Sequence, residues 1–264
     1  MSLHDDDRLI DGAKHLFANG RMFSWNLVST RLTQFPYFDE LLERPAWKGR
    51  KILDFGGNVG TFLASAGDRV DHEDYWCIDI NKAVVEQGRL TYPRAHFVHF
   101  NRYSPQYNPH GIRKLALPDC GGVKFDIILA FSVFTHVDKH EMVETVGALR
   151  RMLAPGGVLA FTFFDPKYDR SRSDPKLPRG ETVLSNLGTQ GEIELVKRAR
   201  WFVLVDDRLY VEPGDVMCHQ TRLGRALESY CSYFTADFMK TLFPGAIIRD
   251  PVCREWQHCC ILRN

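Results

Sequence analysis

The chain reads as an α/β protein wound around a mostly parallel sheet. Three observations predict this. Short apolar runs recur between residues 51 and 164, helical stretches separate them, and the first run ends in a glycine-rich turn that opens a helix. Short apolar runs bounded by turn residues suit strands buried on both faces, as the inner strands of such a sheet are.

In chain order, residues 7–18 and about 23–44 carry apolar side chains at helical spacing, with Phe23, Leu27, Phe35 and Phe38 available for packing. They predict an N-terminal helical lid over residues 1–48. The first strand runs through Lys51-Ile-Leu-Asp54 into Phe55-Gly56-Gly57-Asn58-Val59-Gly60. Glycine has no Cβ, so backbone in such a turn passes close to a nucleoside ligand. The dinucleotide fingerprint G-x-G-x-x-G does not fit, because Asn58 stands at its second glycine and Thr61 at its third. Asp54 precedes the turn and Asp79 closes the next strand, Tyr75-Trp-Cys-Ile-Asp79. Carboxylates there suit a cationic ligand and repel a pyrophosphate.

The order Asp54-x-Gly56-x-Asn58-x-Gly60 resembles the first motif of class I S-adenosylmethionine-dependent methyltransferases, an acidic residue followed by x-G-x-G-x-G, with Asn58 as the departure. Asparagine tolerates a positive φ better than most residues. The resemblance extends over roughly residues 50–165. A helix from about Lys82 to Leu90 is followed by His96-Phe-Val-His-Phe100, then by Asn101 and Arg102, where the family places a polar side chain on the adenine amino group. Next come the strand Phe125–Phe131, the segment Ser132-Val-Phe-Thr-His136 running under the cofactor, and the turn Leu153-Ala-Pro-Gly-Gly157 before Val158–Phe164. The resemblance implies S-adenosylmethionine as cofactor and a seven-stranded doubly wound sheet with an antiparallel last strand. It implies cofactor contacts at Asp54, Gly56, Gly57, Asn58, Gly60, Asp79, Ile80, Asn101, Arg102, Phe131 and Ser132. Asp79 takes the ribose hydroxyls, since both carboxylate oxygens accept.

The core thus spans 49–166. An insertion follows at 167–225, where clefts open at the carboxyl ends of parallel strands. Its polar stretch from Tyr168 to Pro175 and its candidate hairpin Trp201–Val211 predict an acceptor cap, with His219, Arg222 and Tyr230 as candidate acceptor contacts. Residues 226–264 return to the core: Thr235 and Asp237 open a short helix to Phe243, Ala246-Ile-Ile248 is strand-like, and Gln257–Leu262 forms the last strand. Cys259 and Cys260, adjacent in that strand, project to opposite faces.

Composition narrows the function. Lys and Arg total 34 against 33 Asp and Glu, a net charge of +1, so no global field draws the chain to nucleic acid or an anionic membrane. No run approaches the ~18 apolar residues of a membrane span, and the acidic start lacks an apolar leader. The seven cysteines lack C-x-x-C spacing and read as reduced thiols, so a cytoplasmic protein is expected.

The chemistry then calls for a base. A sulfonium carries an activated methyl group, so the protein must align the acceptor and remove a proton from a hydroxyl nucleophile. His136, just past the fourth strand, is the candidate; alternatively it caps the helix starting near Asp138. Asp165, ending the fifth strand, is the second catalytic candidate, to orient His136, or else a turn residue before Pro166. No metal signature is present. The segment after the fourth strand lacks the Asn/Asp-Pro-Pro-Tyr/Phe pattern of enzymes acting on exocyclic amines. The expectation is O-methylation of a small polar metabolite such as a sugar or glycoside. An amine, protein or RNA acceptor, a silent cofactor-binding protein and a dinucleotide oxidoreductase stand as alternatives. The sequence is silent on oligomeric state.

Overall fold

The computed structural model describes residues 33–172, 176, 179, 180, 182, 197–205, 208–211, 231–253 and 255–264. Seven strands form the main sheet: β1 (Ile52–Phe55), β2 (Tyr75–Asp79), β3 (His96–His99), β4 (Phe125–Ala130), β5 (Leu153–Phe163), β9 (Ile247–Arg249) and β10 (His258–Arg263). Their order is β3-β2-β1-β4-β5-β10-β9. Pairings from β3 to β5 are parallel, and β10 runs antiparallel to both neighbours, with His258 opposite Phe163. The antiparallel last strand is therefore present. Sequence order reverses at β1 and β4, the switch point where open α/β sheets bind ligands.

Five helices are described: α1 (Gln34–Leu41), α2 (Thr61–Ala66), α3 (Lys82–Thr91), α4 (Lys139–Arg151) and α5 (Ala236–Leu242). Three begin at side chains that accept a first-turn N–H, namely Asn81, Asp138 and Thr235. This is the usual service of Asn, Asp and Thr at an N-cap. Of the helical stretch expected over about 23–44, α1 is the described part, and residues 23–32 lie outside the described residues.

The two faces of the sheet have separate cores. Ile52, Cys77, Ile127, Ala160 and Cys259 pack with α1, Phe62 and Trp47 on one face. Leu53, Ile78, Ile128, Phe161 and Cys260 pack with Met142, Val146 and Phe238 on the other. Strand residues alternate between the two sets, as period-2 geometry requires, and Cys259 and Cys260 do point to opposite sides. Each fully buried Phe or Leu side chain contributes roughly 1.5–3 kcal/mol, so two dense layers hold the switch point rigid.

A second, three-stranded antiparallel sheet is ordered β7 (Arg208–Val211), β6 (Trp201–Val205), β8 (Cys231–Phe234). The expected hairpin over 201–211 is its β6–β7 pair. It hangs from the end of β5, where Phe234 N–H donates to the Phe164 carbonyl at 2.9 Å. A division at 225/226 separates β8 from the strand it pairs with, so β8 groups with the inserted sheet. The expected helix at 7–18, Phe23 and Leu27 of the lid, and His219, Arg222 and Tyr230 of the cap lie outside the described residues. Among the described residues no helix is long and apolar enough to cross a membrane.

Candidate active site

The loop after β1 is shaped by residues that each answer a local constraint. Gly56 has φ +75°, and a Cβ there would meet Val133 Cγ2 at 2.3 Å, so any larger residue both strains the backbone and clashes. Asn58 has φ +56°, the left-handed region it was expected to tolerate. Its side-chain oxygen accepts from Val59 N–H at 2.8 Å, and its own N–H donates to Asp79 Oδ2 at 2.9 Å. Gly60, at φ +88°, starts α2.

Asp54 is only 2% exposed and sits beneath this loop. The Tyr75 hydroxyl donates to its Oδ2 at 2.6 Å, and a Cβ on Gly57 would meet that same oxygen. Burial raises the Asp54 carboxyl to about 7, against the lowering effect of the Tyr75 hydrogen bond. The pair supports the loop from below.

A cavity of about 860 Å³ opens above the carboxyl ends of β1, β2 and β4, large within the range of small-ligand sites. Of the residues read from the sequence, Gly56, Asn58, Asp79, Ile80, Arg102, Phe131, Ser132 and His136 line it. Asp79 accepts one backbone N–H on each oxygen, from Asn58 and from Asn81 at 2.8 Å, leaving further lone pairs. Val84 and Phe100 add apolar wall beside it.

Five expected residues do not line the cavity among the described residues. Asp54, Gly57 and Gly60 act through the loop, as above. Asn101 is exposed, and its Oδ1 accepts from Asn108 Nδ2 at 3.0 Å. Asp165 accepts from Lys167 N–H at 2.8 Å and from Ala236 N–H at 2.9 Å, which joins the turn after β5 to the start of α5. Its geometry is the turn alternative.

His136 ends a short 3₁₀ turn, Phe134–His136. The turn is fixed upstream by Ser132, at φ +58°, whose N–H donates to Thr162 Oγ1 at 2.7 Å. The α4 cap belongs to Asp138, whose Oδ1 accepts from Glu141 N–H at 2.8 Å, not to His136. His136 instead faces Tyr107, with Oη and Nε2 3.3 Å apart.

Sequence reasoning missed Tyr103 and Tyr107, carried by the long β3–β4 connection, and Glu255 and Gln257, which precede β10. Because β10 is antiparallel, its start lies over the end of β5 and faces the cavity. No local pattern marks either set; only the pairing does. Arg102 is likewise more tied than expected. Its Nε meets Glu141 at 3.0 Å and its Nη2 meets Glu144 at 3.2 Å, which clamps the connection to α4.

The glycine cradle, the Asp79 lone pairs and the acidic lining fit a cationic nucleoside. Residues 53–159 match the family model described as a methyltransferase domain. Enzymes of this family use S-adenosylmethionine. An S-adenosylmethionine-dependent methyltransferase from Clostridium acetobutylicum aligns over 97% of this chain and 98% of its own, at 10% identity and a TM-score of 0.51. An S-adenosylmethionine-bound amino pentose methyltransferase from Micromonospora echinaspora aligns over 97% and 96%, at 17% identity and 0.50. Magnesium protoporphyrin IX methyltransferase from Synechocystis aligns over 97% and 94%, at 13% identity and 0.50. At these identities the likeness is one of fold. No curated protein matches the chain in sequence.

Proposed function

We propose that the chain is an S-adenosylmethionine-dependent methyltransferase that serves O-methylation of a small polar acceptor, a sugar or glycoside first among them, with His136 as the base. The observation that carries this reading is His136 on the cavity wall, released from helix capping by Asp138 and held beside a tyrosine hydroxyl. S-adenosylmethionine supplies the activated methyl group. Gly56, Asn58 and Asp79 hold its nucleoside part, Ile80 and Val84 flank it, and Ser132 and Phe131 line the floor toward His136. The neutral imidazole takes the acceptor's hydroxyl proton, and the residues around β5 and β10 orient the acceptor. The six free thiols among the described residues fit the reducing cytoplasm, where we place the protein.

The test is a methyl-label transfer screen over hydroxyl, amine, peptide and RNA acceptors. Turnover confined to hydroxyl acceptors supports the reading. His136→Ala and His136→Asn should then each slow transfer by roughly 10²- to 10⁴-fold with little change in cofactor affinity. Asparagine keeps a polar side chain but takes no proton near neutral pH, so a fast asparagine variant would remove the base.

One observation favours an amine acceptor as second reading. Glu255 lines the cavity and pairs with no cation among the described residues; burial raises its pKa despite the 2.6 Å hydrogen bond from Thr33. An ammonium group would offset that burial cost. Preference for amines in the screen, lost in Glu255→Gln, decides for it.

A further inference from the structure

The β3–β4 connection presents Tyr107 to the cavity on a tightly tied loop. Ser104 and Asn108 exchange two backbone hydrogen bonds at 3.1 Å, and Tyr107 N–H reaches Ser104 Oγ at 3.3 Å. Asn108 Nδ2 donates to the Arg102 carbonyl at 3.0 Å, and a Cβ on Gly111 would lie 2.6 Å from Arg102 backbone. Such a loop has little freedom to withdraw its tip. The ring of Tyr107 stands edge-on to the His136 imidazole, with centroids 5.3 Å apart, and its Oη lies 3.3 Å from Nε2.

The direction of that contact follows from the surroundings of the phenol. Burial, then Cys231, then the charge of Asp79 all push its pKa above the ordinary value, so Tyr107 keeps its proton. A phenol that keeps its proton can donate it to an unprotonated Nε2; in that tautomer the Nε2 lone pair is engaged and Nδ1 carries the imidazole proton. Distances of this length in a ligand-free active site shorten in the loaded complex. Yet a lone pair already engaged by Tyr107 does not meet the acceptor directly.

We propose that Tyr107 is the proton relay between the acceptor hydroxyl and His136. This rests on the methyl-transfer reading. The acceptor's O–H proton passes to Tyr107 Oη as the phenol's own proton passes to His136 Nε2. The acceptor oxygen gains the methyl carbon, whose bond to sulfur breaks with the electron pair kept by sulfur. The positive charge of the sulfonium ends on the imidazolium, and Tyr107 is neutral before and after. In this arrangement Tyr107 touches the acceptor, and His136 is the terminal base.

The test reads the imidazole itself. Nitrogen-15 NMR of the full chain with S-adenosylhomocysteine, at a pH where His136 is neutral, should show a protonated Nδ1 and a hydrogen-bonded, unprotonated Nε2. Tyr107→Phe, which removes one oxygen and keeps the ring, should shift the Nε2 signal and move the tautomer toward Nε2–H. Wild-type protein carrying its proton on Nε2, or imidazole signals identical in both proteins, would overturn the relay, whether or not an acceptor is turned over. With an acceptor in hand, Tyr107→Phe should slow transfer by roughly 10²-fold at unchanged S-adenosylhomocysteine affinity. The proton inventory in mixed light and heavy water should change from curved, with two protons in flight, to linear. A full rate and an unaltered inventory in the phenylalanine variant would equally sink the relay. Failure of the methyl-transfer reading is separate: it is a wild-type protein that labels no acceptor while the NMR result still stands.

Discussion

Asp79 is placed to serve the loop and, in the proposed function, the ligand together. Its two oxygens each accept a backbone N–H, from Asn58 and Asn81, and the lone pairs that remain face the cavity. Asp79→Ala therefore removes support from the β1 loop as well as ribose acceptors. Affinity for S-adenosylhomocysteine in a calorimetric titration should fall by about 1–3 kcal/mol, with a lower unfolding temperature. Unchanged affinity would take Asp79 out of the cofactor site. Asn58 makes the complementary point. Its departure from glycine costs the turn little, because a left-handed asparagine bonds its own neighbour through Oδ1. The place of Asp79 at the end of β2 was legible in the sequence. That Asn101 turns outward and Asp165 is spent on two amides was not, because both facts depend on what other segments bring alongside.

Among the elements, the turn after β4 decides where His136 points, and it is held from β5 and β10. Thr162 Oγ1 accepts from Ser132 N–H and donates to Gln257 Oε1, so one hydroxyl links three segments distant in sequence. Thr162→Val keeps the shape and removes both bonds. Left without partners, the Ser132 amide and Gln257 carbonyl should cost about 1–3 kcal/mol in urea unfolding, and methyl transfer should fall as the turn loosens. An unchanged midpoint would show that the link is dispensable. The strands themselves were readable from apolar runs, and α3, α4 and α5 from periodicity and caps. The pairing of β8 with β6 was not, since four residues of Cys231-Ser-Tyr-Phe234 carry no sign of which sheet they join.

For the molecule as a whole, Asp54 couples the switch point to stability. Its folded-state pKa of about 7 lies above that of the unfolded chain, near the ordinary carboxylate value of 3.8. Between these limits the folded state holds the extra proton, so this group's contribution to stability declines as pH rises from about 4 to about 7. The full span is worth on the order of 4 kcal/mol. Asp54→Asn abolishes the titration, so the variant should gain on the wild type as pH is raised from 5 to 8, read by urea unfolding at both. Parallel pH dependence in the two proteins would mean that Asp54 does not titrate in this window as its raised pKa requires.

The sequence by itself determined the layered α/β order, the glycine-rich loop of Gly56 and Asn58 with Asp79 at the next strand end, and the place of His136 after the fourth strand. These are local properties: period, turn chemistry and a strand end that must carry polar atoms. Only the tertiary structure decided that Asp54 lies under the loop, that Tyr107 meets His136, and that Glu255 and Gln257 close the far wall. Each of those depends on strand order and on one antiparallel strand, which bring together residues separated by more than 200 positions, as in the Tyr37 hydroxyl bonded to the Gln257 carbonyl, 220 positions away. Such contacts leave no period in the chain, because their partners are chosen by the folding of the sheet and not by spacing along the sequence.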